Sequence, residues 1–244
     1  MPADSFVFKE FEVKQSNCAM KVGTDAVLLG AWGKLPEKGH MLDIGTGTGI
    51  IAMMAAQRSS TLIDAIEIDE DAYREAAENC KNSKWNERIH VHHISFQKFV
   101  PSVTKKYDVI LSNPPYFSNC VQAASESRTM ARHTCNPSFE ELVDGIASLL
   151  KEDGSFATIL PLKEAEDLSA IAKRYGLYTN RITRVKTTCT KPAKRTLMQF
   201  GFHKANPVEE TLIIENEPEA GSRLNQRTYS TDYKNLTRNF YLNF

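Results

Sequence analysis

The run Leu42-Asp43-Ile44-Gly45-Thr46-Gly47-Thr48-Gly49 is the feature that most restricts this chain. Three glycines at alternate positions sit where an apolar stretch gives way to Ile-Ile-Ala-Met-Met-Ala, which reads as a strand turning sharply into a helix. Glycine supplies the positive φ that such a turn needs, and without a Cβ it lets a ligand come close to the backbone. The surrounding pattern agrees. Apolar, β-branched segments at 40–45, 61–68, 89–94, 107–112, 155–160, 196–203 and 211–215 read as strands. Stretches at 50–58, 70–82, 138–151 and 163–175 read as helices, with Asp69 as the N-cap of the second and Gly154 just after the third. Alternation of this kind predicts an α/β fold, a mainly parallel sheet with helices on both faces. The last two strand segments lack a helical pattern between them and are expected to pair antiparallel at one sheet edge. Residues 227–243 read as a closing helix whose aromatic side chains pack rather than react.

At 244 residues and 41% hydrophobic the chain can fill a core, and no linker divides it, so a single domain is expected over 1–244, with an N-terminal segment 1–35 and a core 36–244. The N-terminus lacks a signal-peptide pattern and no apolar run reaches membrane-spanning length, which predicts a cytoplasmic protein. Five scattered cysteines with no Cys-x-x-Cys pair suggest neither a disulfide framework nor a zinc site. His90, His92 and His93 lack a carboxylate or cysteine at ligand spacing, so no metal is expected. Basic and acidic residues balance at 30 each, which excludes a protein that coats nucleic acid through a global positive field.

The glycine loop alone leaves its ligand open. Gly47-x-Gly49-x-x-Ala52 also satisfies the dinucleotide fingerprint, and Glu67 lies at about the offset of a ribose-binding carboxylate, where its two oxygens suit a diol. Asp43 is read as a contact to the cofactor's amino acid moiety, the alternative being a turn residue at a strand end. Asn113-Pro114-Pro115-Tyr116 decides between cofactors. It directly follows the strand Val109-Ile110-Leu111, which puts it in the crevice at the carboxyl ends of the strands. In an arbitrary loop it would be a stiff turn. Here it suits one chemistry. An exocyclic adenine nitrogen is a poor nucleophile, because its lone pair is delocalised into the ring, and it needs fixed acceptors for its two hydrogens as it gains charge. The Asn113 side-chain oxygen and the Pro114 carbonyl can be those acceptors, held still by two prolines, while Tyr116 stacks on the base. Hydride transfer calls for no such tetrapeptide, so the pair of motifs favours methyl transfer from S-adenosylmethionine.

On these residues the chain resembles the Rossmann-like class I methyltransferases of the amino-methylating group, and more closely the bacterial valine-tRNA adenine-37 N6-methyltransferases. The resemblance runs over Phe8 to Phe11, Cys18 to Trp32, Asp43 to Gly49, Asn113 to Phe117, Ala131-Arg132-His133 and Phe240-Tyr241-Leu242. It implies a seven-stranded, mostly parallel sheet with an antiparallel edge, and a segment before the first strand that covers the cofactor, which assigns Lys21, Gly23 and Thr24 to the cofactor pocket. It also implies a tRNA substrate modified at adenosine 37, and adds Pro115 and Phe117 to the substrate pocket. Members of the class often hold the cofactor's adenine amino group with an aspartate where this chain has Ser95, next to Phe96. Phe96 is therefore assigned to the adenine ring, with core packing as the alternative.

One further feature speaks for RNA. Residues 181–195 carry six basic and no acidic side chains, and a basic loop near the sheet's carboxyl edge would suit a phosphate backbone. Lys191, Lys194 and Arg195 are assigned to it, with a solvated surface as the alternative. Arg128, Arg132 and His133 are placed at the substrate entrance, with charge on a helix surface as the alternative. Two substrates remain beside tRNA, namely DNA adenine and a protein glutamine amide, since Asn-Pro-Pro-Tyr serves both. A non-catalytic nucleic-acid-binding or cofactor-sensing module is the alternative of another class. No obligate protein partner is expected.

Overall fold

A computed structural model of the chain describes residues 4–16, 18, 21–114, 137–217 and 228–243. A hairpin of β1 (Ser5–Val7) and β2 (Glu12–Lys14) precedes helix α1 (Thr24–Trp32). Then come β3 (His40–Ile44), α2 (Ile50–Arg58), β4 (Leu62–Glu67), α3 (Glu70–Lys81), β5 (Ile89–His93), the short α4 (Phe96–Phe99) and β6 (Tyr107–Ser112). The second half holds α5 (Phe139–Leu149), β7 (Leu150–Leu160), α6 (Leu162–Arg174), β8 (Tyr178–Lys186), β9 (Ala193–Gly201), β10 (Val208–Ile213) and α7 (Thr231–Thr237).

The main sheet runs β10-β8-β9-β7-β6-β3-β4-β5. Strands β7, β6, β3, β4 and β5 are mutually parallel; the inner strands β6, β3 and β4 are almost entirely buried, as cover on both faces requires, whereas β5 is the partly exposed edge. Two apolar clusters cover the faces. One gathers the N-terminal segment, α1, α2 and α7 around residues such as Leu28, Met53 and Phe240, and the other gathers α4, α5 and α6 around Phe96, Ile146 and Leu168. Tyr233 and Phe240 are almost fully buried, so the aromatic ending does pack, although the helix there is only Thr231–Thr237, capped by Ser230.

Three expectations change. The sheet has eight strands rather than seven, because 178–186, expected from Arg181 onward to form a basic loop, is strand β8. Its Thr183 and Val185 alternate with Arg184 and turn inward, a period-2 pattern that the charges obscure. The strands expected at 196–203 and 211–215 do not pair with each other. Instead β9 lies antiparallel between β7 and β8, and β10 runs parallel to β8. Diagonal ion pairs tie the two strands together: Arg181, opposite Val208, bonds Glu210 at 3.0 Å, and Arg184, opposite Thr211, bonds Glu209. Finally, β7 begins at Leu150, so Gly154 lies inside a strand and not after a helix.

Candidate functional site

Strand β3 ends at Ile44 and the glycine loop follows. Gly45 and Gly47 have φ of +69° and +56°, and a Cβ added to either would meet nothing within 4 Å. These two glycines therefore border open space, as a ligand cradle requires. Gly49 differs. A Cβ there would lie 3.0 Å from the Cys80 sulfur, so this glycine is needed for packing on α3. The N–H groups of Gly45 and Thr46 both donate to the Ile66 carbonyl at 3.0 Å, which pins the loop to the end of β4.

Glu67, the last residue of β4, is buried. Its carboxylate accepts from the N–H groups of Gly47 at 2.9 Å, Ile68 at 2.8 Å and Asp69 at 3.0 Å. The residue expected to receive two ribose hydroxyls thus shapes the loop as well, and about one of its four acceptor positions is left for a ligand. Asp69 caps α3 by accepting from Ala72 N at 2.9 Å. Asp43 is fully buried. Its Oδ2 accepts from the Thr46 hydroxyl at 2.6 Å, while Oδ1 makes no hydrogen bond of normal geometry, although the Ala52 N–H is near enough to favour the charged carboxylate. Burial pushes its pKa up to about 7, helped by the charge of Glu67 and opposed by the Thr46 hydroxyl. A buried carboxylate oxygen without a normal hydrogen bond, next to an open glycine cradle, is suited to a cationic amino group of a ligand.

Asn113 follows β6, which is the parallel neighbour of β3, and Ser112 stands opposite Ile44 in the register. The Ser112 hydroxyl donates to the Ile44 carbonyl at 3.0 Å. Asn113 and the glycine loop therefore leave adjacent strands at the same edge, about 5 Å apart in strand spacing. Asn113 and Pro114 are half-buried there. Pro115, Tyr116, Phe117, Arg128, Arg132 and His133 lie outside the described residues.

The N-terminal segment reaches the site over α3. Asn79 bonds both Lys14 and the Thr48 carbonyl, and Glu75 accepts from Cys18 N at 2.9 Å. Sequence reading missed both residues, yet a signal was present: they fall on the same helical stripe as Ala72, Ala76 and Cys80, where a polar residue must find a buried partner. Lys21, Gly23 and Thr24 are exposed at the entry to α1. Ser95 caps α4, so at the position where the class often has an aspartate this chain spends the side chain on the Lys98 N–H. Phe96 is 4% exposed and so close under Gly145 that a Cβ there would lie 2.5 Å from its ring. That burial corresponds to its core-packing alternative.

His92 lies 3.0 Å from Asp64, and His93 meets the Ile68 carbonyl and stacks on Tyr73. No group of three metal-ligating side chains occurs among the described residues. No helix among them is long and apolar enough to cross a membrane. Of the basic run, Arg181 and Arg184 are neutralised by β10, and Arg195 bonds Asp25 at 2.8 Å. Lys191, in the turn between β8 and β9, and Lys194, at the second position of β9, remain exposed at the carboxyl edge of the sheet. Lys194 and Arg195 border a cavity of about 670 Å³ shared with Thr24, Leu28, Val185 and Tyr241.

Comparison with known proteins places this geometry. Residues 16–160 match the methyltransferase small domain. The chain is 42% identical to the tRNA1(Val) (adenine(37)-N6)-methyltransferase of Christiangramia forsetii, over 99% of each chain. It is 43% identical to the protein of the same description from Bacteroides fragilis, over 97% of each. Among solved structures it resembles a predicted O-methyltransferase from Agrobacterium tumefaciens with a TM-score of 0.67 and 17% identity, over 88% of this chain and 96% of that one, a likeness of fold.

Proposed function

The chain belongs to the methyltransferase small domain family and, within it, to the tRNA1(Val) (adenine(37)-N6)-methyltransferases, and from that premise we propose that it methylates the N6 amino group of adenine 37 in a valine tRNA. The observation that carries the reading is the register of β3 with β6, which sets Asn113 beside the glycine loop. The residues fit S-adenosylmethionine: Gly45 and Gly47 leave room for its approach, and the Asp43 oxygen without a normal hydrogen bond suits its ammonium group. Glu67 offers its remaining acceptor position to the ribose, and Lys21, Gly23 and Thr24 cover the methionine end. When bound, the cofactor supplies a methyl group already activated by the sulfonium.

The protein's task is then to place the adenine and to favour its nitrogen as charge develops. Asn113 accepts one amino hydrogen through its side-chain oxygen and Pro114 the other through its carbonyl. Both acceptors are fixed before the reaction, so neither has to reorganise as the nitrogen pyramidalises. Tyr116 stacks on the base, which helps to offset the loss of its neighbours when the nucleotide turns out of the anticodon loop. Pro115, Phe117, Arg128, Arg132 and His133 are proposed as further substrate contacts. Such an enzyme works in the cytoplasm, where its substrate is, and needs no obligate protein partner.

For the RNA surface we propose Lys191 and Lys194, with Arg195 in a smaller part because Asp25 already holds its guanidinium. Replacing all three by alanine is expected to weaken tRNA binding and to flatten its salt dependence. Each lost phosphate contact should lower the log-log slope by roughly one unit or somewhat less. Lys191→Ala with Lys194→Ala should give most of that change, and Arg195→Ala alone little of it. An unaltered slope in the triple variant would make this turn an ordinary solvated surface.

A further inference from the structure

We propose that Asn79, supported by Glu75, is a positioning residue that locks the N-terminal segment and the glycine loop into one cofactor-binding unit. The proposal rests on the methyl-transfer reading for the identity of the ligand. The geometry is independent of it.

Asn79 is 3% exposed, on the face of α3 turned toward both elements. Its Oδ1 accepts from Lys14 N at 2.9 Å, and its Nδ2 donates to Lys14 O at 2.9 Å and to Thr48 O at 2.9 Å. The amide thus serves as a strand partner for the last residue of β2, whose main chain otherwise pairs with Ser5. With its other hydrogen it fixes the carbonyl between Gly47 and Gly49. Three of its four hydrogen-bonding positions are used in this bridge, and the remaining one is an acceptor lone pair, the least costly to leave idle.

The clamp continues along the segment. One helical turn earlier, Glu75 is 5% exposed and its Oε2 accepts from Cys18 N at 2.9 Å. Gln15 is also buried, its Oε1 accepts from Val22 N at 2.8 Å, and its own carbonyl receives the Lys21 ammonium. Lys14, Gln15, Cys18, Lys21 and Val22 are in this way held ahead of Gly23 and Thr24 at the start of α1. The glycine loop meets the same helix face, since Gly49 packs against Cys80 and Ala76. One face of α3 therefore sets the distance between the two walls proposed to enclose the cofactor. Had the segment been held only by surface pairs such as Lys14 with Glu78, whose side chains are both about half exposed, its placement would add little to binding. A buried bridge orders the segment before the ligand arrives, so its ordering entropy is not charged against affinity.

The test uses the full chain and the demethylated product of S-adenosylmethionine as the probe, with its dissociation constant measured by calorimetry. Asn79→Ala should bind it at least about tenfold more weakly, the scale of a lost buried hydrogen-bond pair. Asn79→Asp should be worse, because it sets a carboxylate against the Lys14 and Thr48 carbonyl oxygens. Turnover at saturating methyl donor should stay within about threefold of wild type and tRNA affinity should not change, a split between affinity and turnover that a general loss of stability would not give. In the cofactor-free protein, amide hydrogen exchange over residues 15–24 should be faster. Glu75→Gln keeps an acceptor for Cys18 N and should bind more tightly than Glu75→Leu, which offers none and should bind more weakly than wild type. This second pair carries the test should Asn79→Ala not fold. Wild-type affinity and wild-type exchange in a folded Asn79 variant, or in Glu75→Leu, would overturn the proposal. Failure of the wild-type protein to bind the probe would overturn the methyl-transfer reading instead, while the exchange measurement would still decide the clamp.

Discussion

Replacing Asn113 by alanine is expected to lower turnover by roughly a hundredfold or more while cofactor affinity stays nearly unchanged. The magnitude follows from other reactions in which one fixed hydrogen-bonding group for a developing charge has been removed. The split follows from geometry, because the cofactor contacts proposed here lie in β3 and the loop after it, at the end of β4 and at the entry to α1, whereas Asn113 leaves β6. Its side chain is only half-buried, so truncation leaves no large cavity and the fold should survive. Single-turnover rates at saturating tRNA and cofactor, set beside calorimetry of the cofactor, separate the two effects. A variant that turns over like wild type would reduce the tetrapeptide to a stiff turn.

The second large effect concerns Asp43. In the folded, cofactor-free protein burial raises its carboxyl pKa to about 7, far above the value of roughly 4 in an unfolded chain. The folded state thus binds more protons than the unfolded state between these two values, and stability must fall as pH rises through that window. Below about pH 4 the carboxyl is protonated in both states and the loss is absent. Above about pH 7 the loss is complete, on the order of 4 kcal/mol if the shift is taken at face value. Asp43→Asn removes this dependence. It leaves an amide N–H₂ where Oδ1 makes no normal hydrogen bond, which costs about 1–3 kcal/mol. The variant should consequently be the more stable protein at pH 8 and show no advantage at pH 4, as thermal unfolding at the two pH values would record. Its cofactor affinity should fall by at least about tenfold, since an ammonium group bonds a carboxylate better than an amide. Wild-type affinity should climb with pH as Asp43 ionises near 7, and the Asn variant should not show that climb. Equal affinity and equal pH dependence in the two proteins would remove Asp43 from the cofactor site.

Much of the framework was legible because the strongest signals are local. Alternate glycines after an apolar strand, Asp69 before a helix and Asn-Pro-Pro-Tyr after another strand each state their geometry within a few residues. Strand β8 was less legible: its inward pair Thr183 and Val185 is interleaved with Arg181, Arg184 and Lys186, and only the partner strand, carrying Glu209 and Glu210, makes those charges compatible with a sheet. The basic run read as a phosphate-binding surface is for the same reason partly an internal ion-pair ladder. Glu67 and Asn79 show the other gap. Which loop N–H or carbonyl a buried polar side chain will reach depends on packing between elements 20 or more residues apart, and no pattern within one element encodes it.

The most direct test of the whole account is to incubate the purified protein with methyl-labelled S-adenosylmethionine and valine tRNA, and in parallel with the same tRNA carrying guanosine at position 37, with DNA and with protein. The nucleosides are then separated and counted. The account predicts label in N6-methyladenosine from the tRNA with adenine at position 37, and none from the position-37 variant. Label confined to DNA or to glutamine amides, or equal label in both tRNAs, would contradict it.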